Sequence, residues 1–111
     1  MRQDEASLVD IIQAAKRVIK FSESLNRKEL KQNEEKQSAI LYQIMIIGEA
    51  VKRLSSDFRM QHASIPWRQM AGMRDILTHQ YDEVDLDTIW EVIQTDIPQI
   101  IEIVQPLLSD V

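Results

Sequence analysis

The stretch ILYQIMIIGEAVKRL, Ile40 to Leu54, decides the architecture. Ile40, Ile44, Ile47, Val51 and Leu54 recur at steps of 4, 3, 4 and 3, the heptad seam of a packed helix. Leu41, Met45 and Gly48 make a second stripe beside it, and Ile46 and Ala50 widen the apolar surface further. A helix apolar around most of its girth is covered from more than one side. That cover is a partner subunit added to the chain's own core, or the core alone. Gly48 costs a helix about 1 kcal/mol against alanine, which points to close backbone approach by another helix.

The same periodicity extends outward in both directions. A first helix is expected over residues 4–25, with Leu8, Ile11, Ile12, Ala15 and Ile19 facing inward. Residues 27–37 are mostly charged and read as a connection with one helical turn, with Asn26 as a turn or cap residue. Beyond the central helix (residue 34 to 54 or 55), residues 55–64 are irregular or a short helix, and Ser64-Ile65-Pro66-Trp67 is a helix start. The next helix covers Trp67 to Thr78 or His79, with Gly72 a second candidate for close packing. The last begins at Asp85 or Asp87 and carries Ile89, Ile93, Ile97, Ile100, Val104 and Leu107, with Pro98 set to kink or divide it. The expected fold is a single all-α domain over residues 1–111, a bundle of four to five helices.

Composition agrees. Two glycines and three prolines in 111 residues are too few for the closely spaced turns of an all-β protein. The absence of cysteine removes disulfides, thiolate metal sites and cysteine nucleophiles. The polar start and a longest apolar run of about ten residues, half a membrane span, lead us to expect a cytoplasmic protein. The net charge of −5 hides an asymmetry. All 13 basic residues lie in residues 1–74 against nine acidic ones, whereas residues 75–111 hold nine acidic residues and no basic one.

Chemistry-bearing patterns are few. His62 sits among polar residues and reads as solvated. There is no phosphate-binding glycine loop, no serine nucleophile elbow and no pair of histidines at metal-ligand spacing, so neither a cofactor nor a metal site is expected. What remains is Arg74-Asp75-Ile76-Leu77-Thr78-His79-Gln80-Tyr81. Asp75 and His79, four apart, share a helix face, so the carboxylate is placed to orient the imidazole. Arg74 and His79, five apart, stand about 140° apart around a regular helix. They converge on one ligand only if the helix ends before His79, or if two copies of the chain share the site. One imidazole and one guanidinium suffice to cleave RNA without a metal, because RNA carries its own 2′-hydroxyl nucleophile. Arg74–Thr78 contacts, an Asp75–His79 pair and a packed Tyr81 would account for the same residues without chemistry.

The order of these blocks resembles the HEPN superfamily, and within it the HepT-like toxins of the HepT/MntA type. The motif R-x-x-x-x-H-x-Y is matched by Arg74, His79 and Tyr81, with Asp75 as the polar second residue. Ile47-Gly48-Glu49-Ala50, Ile65-Pro66-Trp67-Arg68, and Val84-Asp85-Leu86-Asp87 with Trp90 also match. The resemblance implies an all-α homodimer with facing motif helices and a metal-independent endoribonuclease. In it, His79 would transfer protons and Arg74 would stabilise the phosphate. It further implies an MntA-like nucleotidyltransferase antitoxin that uses ATP and magnesium to place AMP on Tyr81. Where many relatives carry asparagine, this chain has Asp75, which would repel a phosphate unless Arg74 or protonated His79 compensates. Lys52 and Arg53 are candidates for guiding RNA, and Glu49 for pairing with Arg74 or meeting the antitoxin. The alternative is a non-catalytic helical module that binds or regulates a nucleotidyltransferase.

Overall fold

The computed structural model describes residues 2–108, apart from the side chains of Arg2, Gln3 and Tyr81. No described residue lies in a strand. The helices are α1 (Arg2–Ser22), α2 (Arg27–Gln32), α3 (Glu34–Lys52), α4 (Ser56–Gln61), α5 (Trp67–His79), α6 (Leu86–Glu91) and α7 (Ile97–Val104). A π-helical stretch, Val92–Asp96, joins α6 to α7 in one rod, so four long helices form the bundle and α2 and α4 are short additions.

The central stretch forms α3, and its heptad seam is buried throughout: Ile40, Ile44, Ile47, Val51 and Leu54 are at most 3% exposed. α1 and α5 both pack on α3. Helices of the same chain therefore cover its apolar girth, and that girth does not require a second subunit. Gly48 is where α5 comes closest. A Cβ there would stand 2.5 Å from Arg74 Cβ and 2.7 Å from the Met70 carbonyl oxygen, so only glycine lets the two backbones meet. Gly72 is different: nothing lies within 4 Å of where its Cβ would be, and the expected close packing there is absent.

Local chemistry sets the helix ends. Asn26 accepts from Glu29 N–H at 2.8 Å and the Glu29 carboxylate accepts from Asn26 N–H at 3.0 Å, a reciprocal cap. It nucleates a six-residue helix where the sequence suggested a single turn, anchored by the buried Leu30. Asn33 then caps α3. Asp4, buried on α1, accepts from the Ser55 backbone N–H at 2.8 Å and hydroxyl at 2.6 Å, while Ser55 caps α4. The Ser55 hydroxyl holds the Asp4 carboxyl below its ordinary value. His62 is half-buried rather than solvated: its ring packs on Phe58 at 4.5 Å and its carbonyl accepts from Trp67 Nε1 at 3.0 Å. Pro66 stands at the N-cap of α5, where its missing N–H costs nothing, and the helix begins at Trp67 as expected.

Pro98 divides the last helix, one of the two expected outcomes: a π-helical stretch separates α6 from α7, and Pro98 is the second residue of α7. It has no N–H to donate, and its ring crowds the carbonyl one turn back. The chain widens ahead of it, and Ile97 N–H reaches Val92 O, five residues back. The wider turn keeps Ile89, Ile93 and Ile97 on one buried stripe despite steps of four. Below Pro106 a 3-10 turn rotates the end, so Leu108 is buried and Leu107, expected inside, is 48% exposed.

Candidate functional site

α5 carries Arg74, Asp75 and His79, and α3 presents Glu49 and Lys52 to it. Arg74 Nε donates to Glu49 Oε2, and its Nη1 donates to Asp75 Oδ1 at 3.1 Å. Lys52 Nζ donates to the same Asp75 oxygen at 2.6 Å. Charges thus alternate through Glu49, Arg74, Asp75 and Lys52 across the α3–α5 contact. Asp75, then Glu49, raises the Arg74 guanidinium above its ordinary range, so its charge is permanent. Lys52 first, and Arg74 second, lowers the Asp75 carboxyl, which keeps it ionised and neutralised together. Arg74 does offset the Asp75 carboxylate, as one of the two expected groups, and Lys52, which the sequence did not suggest, joins it on the same oxygen.

This corrects one expectation. Asp75 does not orient His79; its carboxylate turns toward Lys52 and Arg74 instead. The same-face rule is satisfied, but a nearby ammonium and guanidinium outcompete an exposed imidazole at the end of the helix. His79 is exposed and, among the described residues, has no hydrogen-bond partner. Arg53 pairs with Asp10 at 3.2 Å, and Lys52 with Asp75, so both remain on the surface but already hold a carboxylate. Glu49 is shown to pair with Arg74, one of the two roles open to it.

α5 is regular through His79, and Gln80 N–H closes on Ile76 O. The helix does not end before the histidine. Arg74 faces α3 with its side chain 27% exposed, and His79 stands about 140° away around the axis. Within one chain the two do not converge. Tyr81 opens a 3-10 turn immediately after α5, and its side chain lies outside what the structure describes.

The acidic last third is partly neutralised from within. Asp87 accepts from Lys31 at 2.8 Å and Arg27 at 3.1 Å, and Arg27 also pairs with Glu91, tying α2 to α6. Asp85 caps α6 by accepting from Asp87 N–H. The Val84-to-Asp87 block thus has a local structural role. Ile65 and Trp67, both buried, anchor the start of α5 in the same way. Among the described residues no group of three His, Asp or Glu side chains is placed to hold a metal ion. No helix among them is long and apolar enough to cross a membrane.

Residues 11–107 match the family model described as Ribonuclease HepT-like. A Methanocaldococcus jannaschii protein named "Putative RNase" is 35% identical over 99 residues, 89% of this chain and 91% of the relative. A second from that organism, of the same name, is 34% identical over 110 residues, covering 99% and 91%. A Thermococcus cleftensis protein named "Probable ribonuclease HepT" is 35% identical over 99 residues, covering 89% and 90%. No solved structure matches significantly.

Proposed function

The chain belongs to the Ribonuclease HepT-like family, and on that premise we propose that it is an endoribonuclease toxin acting as a homodimer. Its site is made where the motif helices of two copies face each other. The observation that carries this reading is the unbroken α5: Arg74 and His79 of one chain diverge, so one scissile phosphate needs the arginine and the histidine of different copies.

The chemistry needs no group beyond these side chains. His79 takes the proton of the ribose 2′-hydroxyl, and the 2′-oxygen attacks phosphorus. The bond to the 5′-oxygen breaks, and that oxygen leaves with a proton from the second imidazole or from water. The products are a 2′,3′-cyclic phosphate and a 5′-hydroxyl end. Arg74 donates to the oxygens that gain charge in the transition state, with Glu49 and Asp75 fixing the guanidinium beforehand. DNA, which has no 2′-hydroxyl, is left intact.

The off-switch is AMP transfer onto Tyr81 by a nucleotidyltransferase antitoxin. The phenol oxygen attacks the α-phosphorus of ATP, pyrophosphate leaves, and the antitoxin holds the magnesium. The position supports it: Tyr81 follows His79 by two residues, so an added phosphodiester brings negative charge and bulk to the place an RNA phosphate would occupy.

Purified protein is expected to cleave RNA in the presence of EDTA, with His79→Ala and Arg74→Ala each lowering kcat about 100-fold or more. Equal cleavage by all three would reveal a contaminating nuclease and end the proposal. Mass spectrometry after co-expression with the neighbouring nucleotidyltransferase is expected to find AMP on Tyr81. A stable complex with neither AMP nor cleavage would favour the non-catalytic binding module.

A further inference from the structure

Beside Arg74 the α3–α5 contact opens into a groove of about 470 Å³. Tyr42 stands on its rim, 57% exposed, the most exposed aromatic ring among the described residues. Among those residues its hydroxyl has no hydrogen-bond partner. A lone exposed ring ordinarily needs no explanation. This one is aligned with the site. Glu49 on α3 and Arg53 at its C-cap are seven and eleven residues beyond Tyr42, which sets each within about 20° of the Tyr42 direction around the helix. Along the axis, Glu49 lies about 10 Å from Tyr42 and Arg53 about 16 Å from it. Glu49 grips Arg74, so the groove runs from a free ring, past the Arg74 guanidinium, to the Arg53 guanidinium. Met45 and Ile46, both half-buried, form an apolar floor between ring and guanidinium. Thr78, which donates to Arg74 O at 2.9 Å, lines the facing wall.

We infer that this groove is a nucleotide subsite, in which an unpaired RNA base stacks on the Tyr42 ring while the adjoining phosphate lies at Arg74 and a further one at Arg53. It rests on the ribonuclease reading above. The pairing of a free π-face with a row of guanidiniums is what a single strand requires: bases splayed from the strand stack on aromatic rings, and cations track the backbone. A paired base cannot leave its stack to reach the ring, so the subsite selects unpaired RNA. Stacking tolerates any base, so Tyr42 contributes affinity without strong sequence preference. Arg53 exchanges its exposed Asp10 partner for phosphate at little cost, because surface ion pairs are weak.

The test is fluorescence anisotropy of the intact protein with a short fluorescein-labelled single-stranded RNA, 2′-O-methylated so that it is not cleaved. Steady-state cleavage of the unmodified RNA and light scattering are measured in parallel. Tyr42→Ala is expected to weaken binding about tenfold or more, with the kinetic effect falling on KM rather than kcat. Tyr42→Phe restores the ring face and recovers most of the affinity. A duplex of the same sequence binds more weakly and is indifferent to residue 42. Unchanged affinity in Tyr42→Ala, or a loss that comes with a change of oligomeric state, overturns the subsite; the latter places the ring at a protein–protein contact. Wild-type protein that binds RNA through Tyr42 without cleaving it would refute the nuclease and leave the subsite standing. Failure of wild-type protein to bind RNA would remove both.

Discussion

The two faces of α5 are built to different tolerances. On the side facing α3, Met70 is fully buried, the Arg74 Cα and Cβ press on Gly48, and the guanidinium is held by two carboxylates. On the far side, a Cβ on Gly72 would meet nothing within 4 Å, and Met73 and Ile76 border a groove of about 570 Å³ that runs to α6 and the π turn. Ile76 is 43% exposed. His79 belongs to this second side, about 20° from Gly72 around the axis. The same helix therefore fixes its arginine against the core and leaves its histidine on an open face. A phosphate-stabilising cation gains from being placed beforehand. On the proposed two-copy reading, a proton carrier must instead stay accessible to the other copy.

The largest effect comes from closing the tight face. Gly48→Ala adds a methyl where the nearest atoms are a backbone carbonyl and the Cβ of Arg74, neither of which swings away. Overpacking of this kind costs about 1–3 kcal/mol, more than the gain of about 1 kcal/mol in helix propensity. Thermal melts should show a lower Tm, and cleavage should fall with it, because α5 carries Arg74. A variant as stable as the parent would mean that the α3–α5 approach does not hold the site.

Gly72→Ala is the matching substitution on the open face, with the opposite sign. It removes freedom from the unfolded chain and meets no neighbour, so stability should rise by about 0.4–1 kcal/mol in the isolated chain. A second copy seated closely on this face would reverse the gain. A variant that melts below the parent at high concentration, but above it once both are diluted past the Kd of self-association, would locate the interface here.

These two glycines also show what the sequence conveyed. Both sit inside helices, and both invite the idea of close packing. Gly48 lies on an identifiable stripe, beside Leu41 and Met45, so its neighbour was foreseeable; Gly72 stands about 160° around α5 from Met70, at the edge of the stripe that Met70, Met73 and Leu77 form, where close packing does not follow from position. The cap at Asn26 was legible because capping is local chemistry, and the same chemistry decides for Asp85 over Asp87 as the start of the last helix. Short α2 was underestimated because a single large apolar residue, Leu30, gives no period. Asp75 was misassigned for a related reason: its partner Lys52 lies 23 residues away on another helix, and sequence spacing sees only the histidine one turn ahead. Tyr42 went unremarked because one aromatic residue in an apolar helix looks like core until the orientation of that helix is known.

The smallest contrast between the faces is electrostatic, and its sign separates them. Asp75, on the tight side, is held below the ordinary carboxyl value by Lys52 and then Arg74. Its contribution is complete above the unfolded value, near pH 4, and is lost as the pH falls through the depressed folded value. Asp96, half-buried in the open groove, is pushed up by burial. Between the unfolded and folded values the native state binds the extra proton, so stability rises as the pH drops through the raised value toward about 4. At neutral pH, Asp75→Asn should therefore lower Tm slightly and Asp96→Asn should raise it. The Asp96 difference should vanish near pH 4, and the Asp75 difference only below it. Added salt should shrink the Asp75 effect, which comes from exposed ion pairs, and spare the Asp96 effect, which comes from desolvation. Melts of both variants at pH 7 and pH 4, with and without salt, give the comparison. If Asp96→Asn is neutral at pH 7, the groove is as wet as bulk solvent, and the open face of α5 presents no dry surface to a second copy.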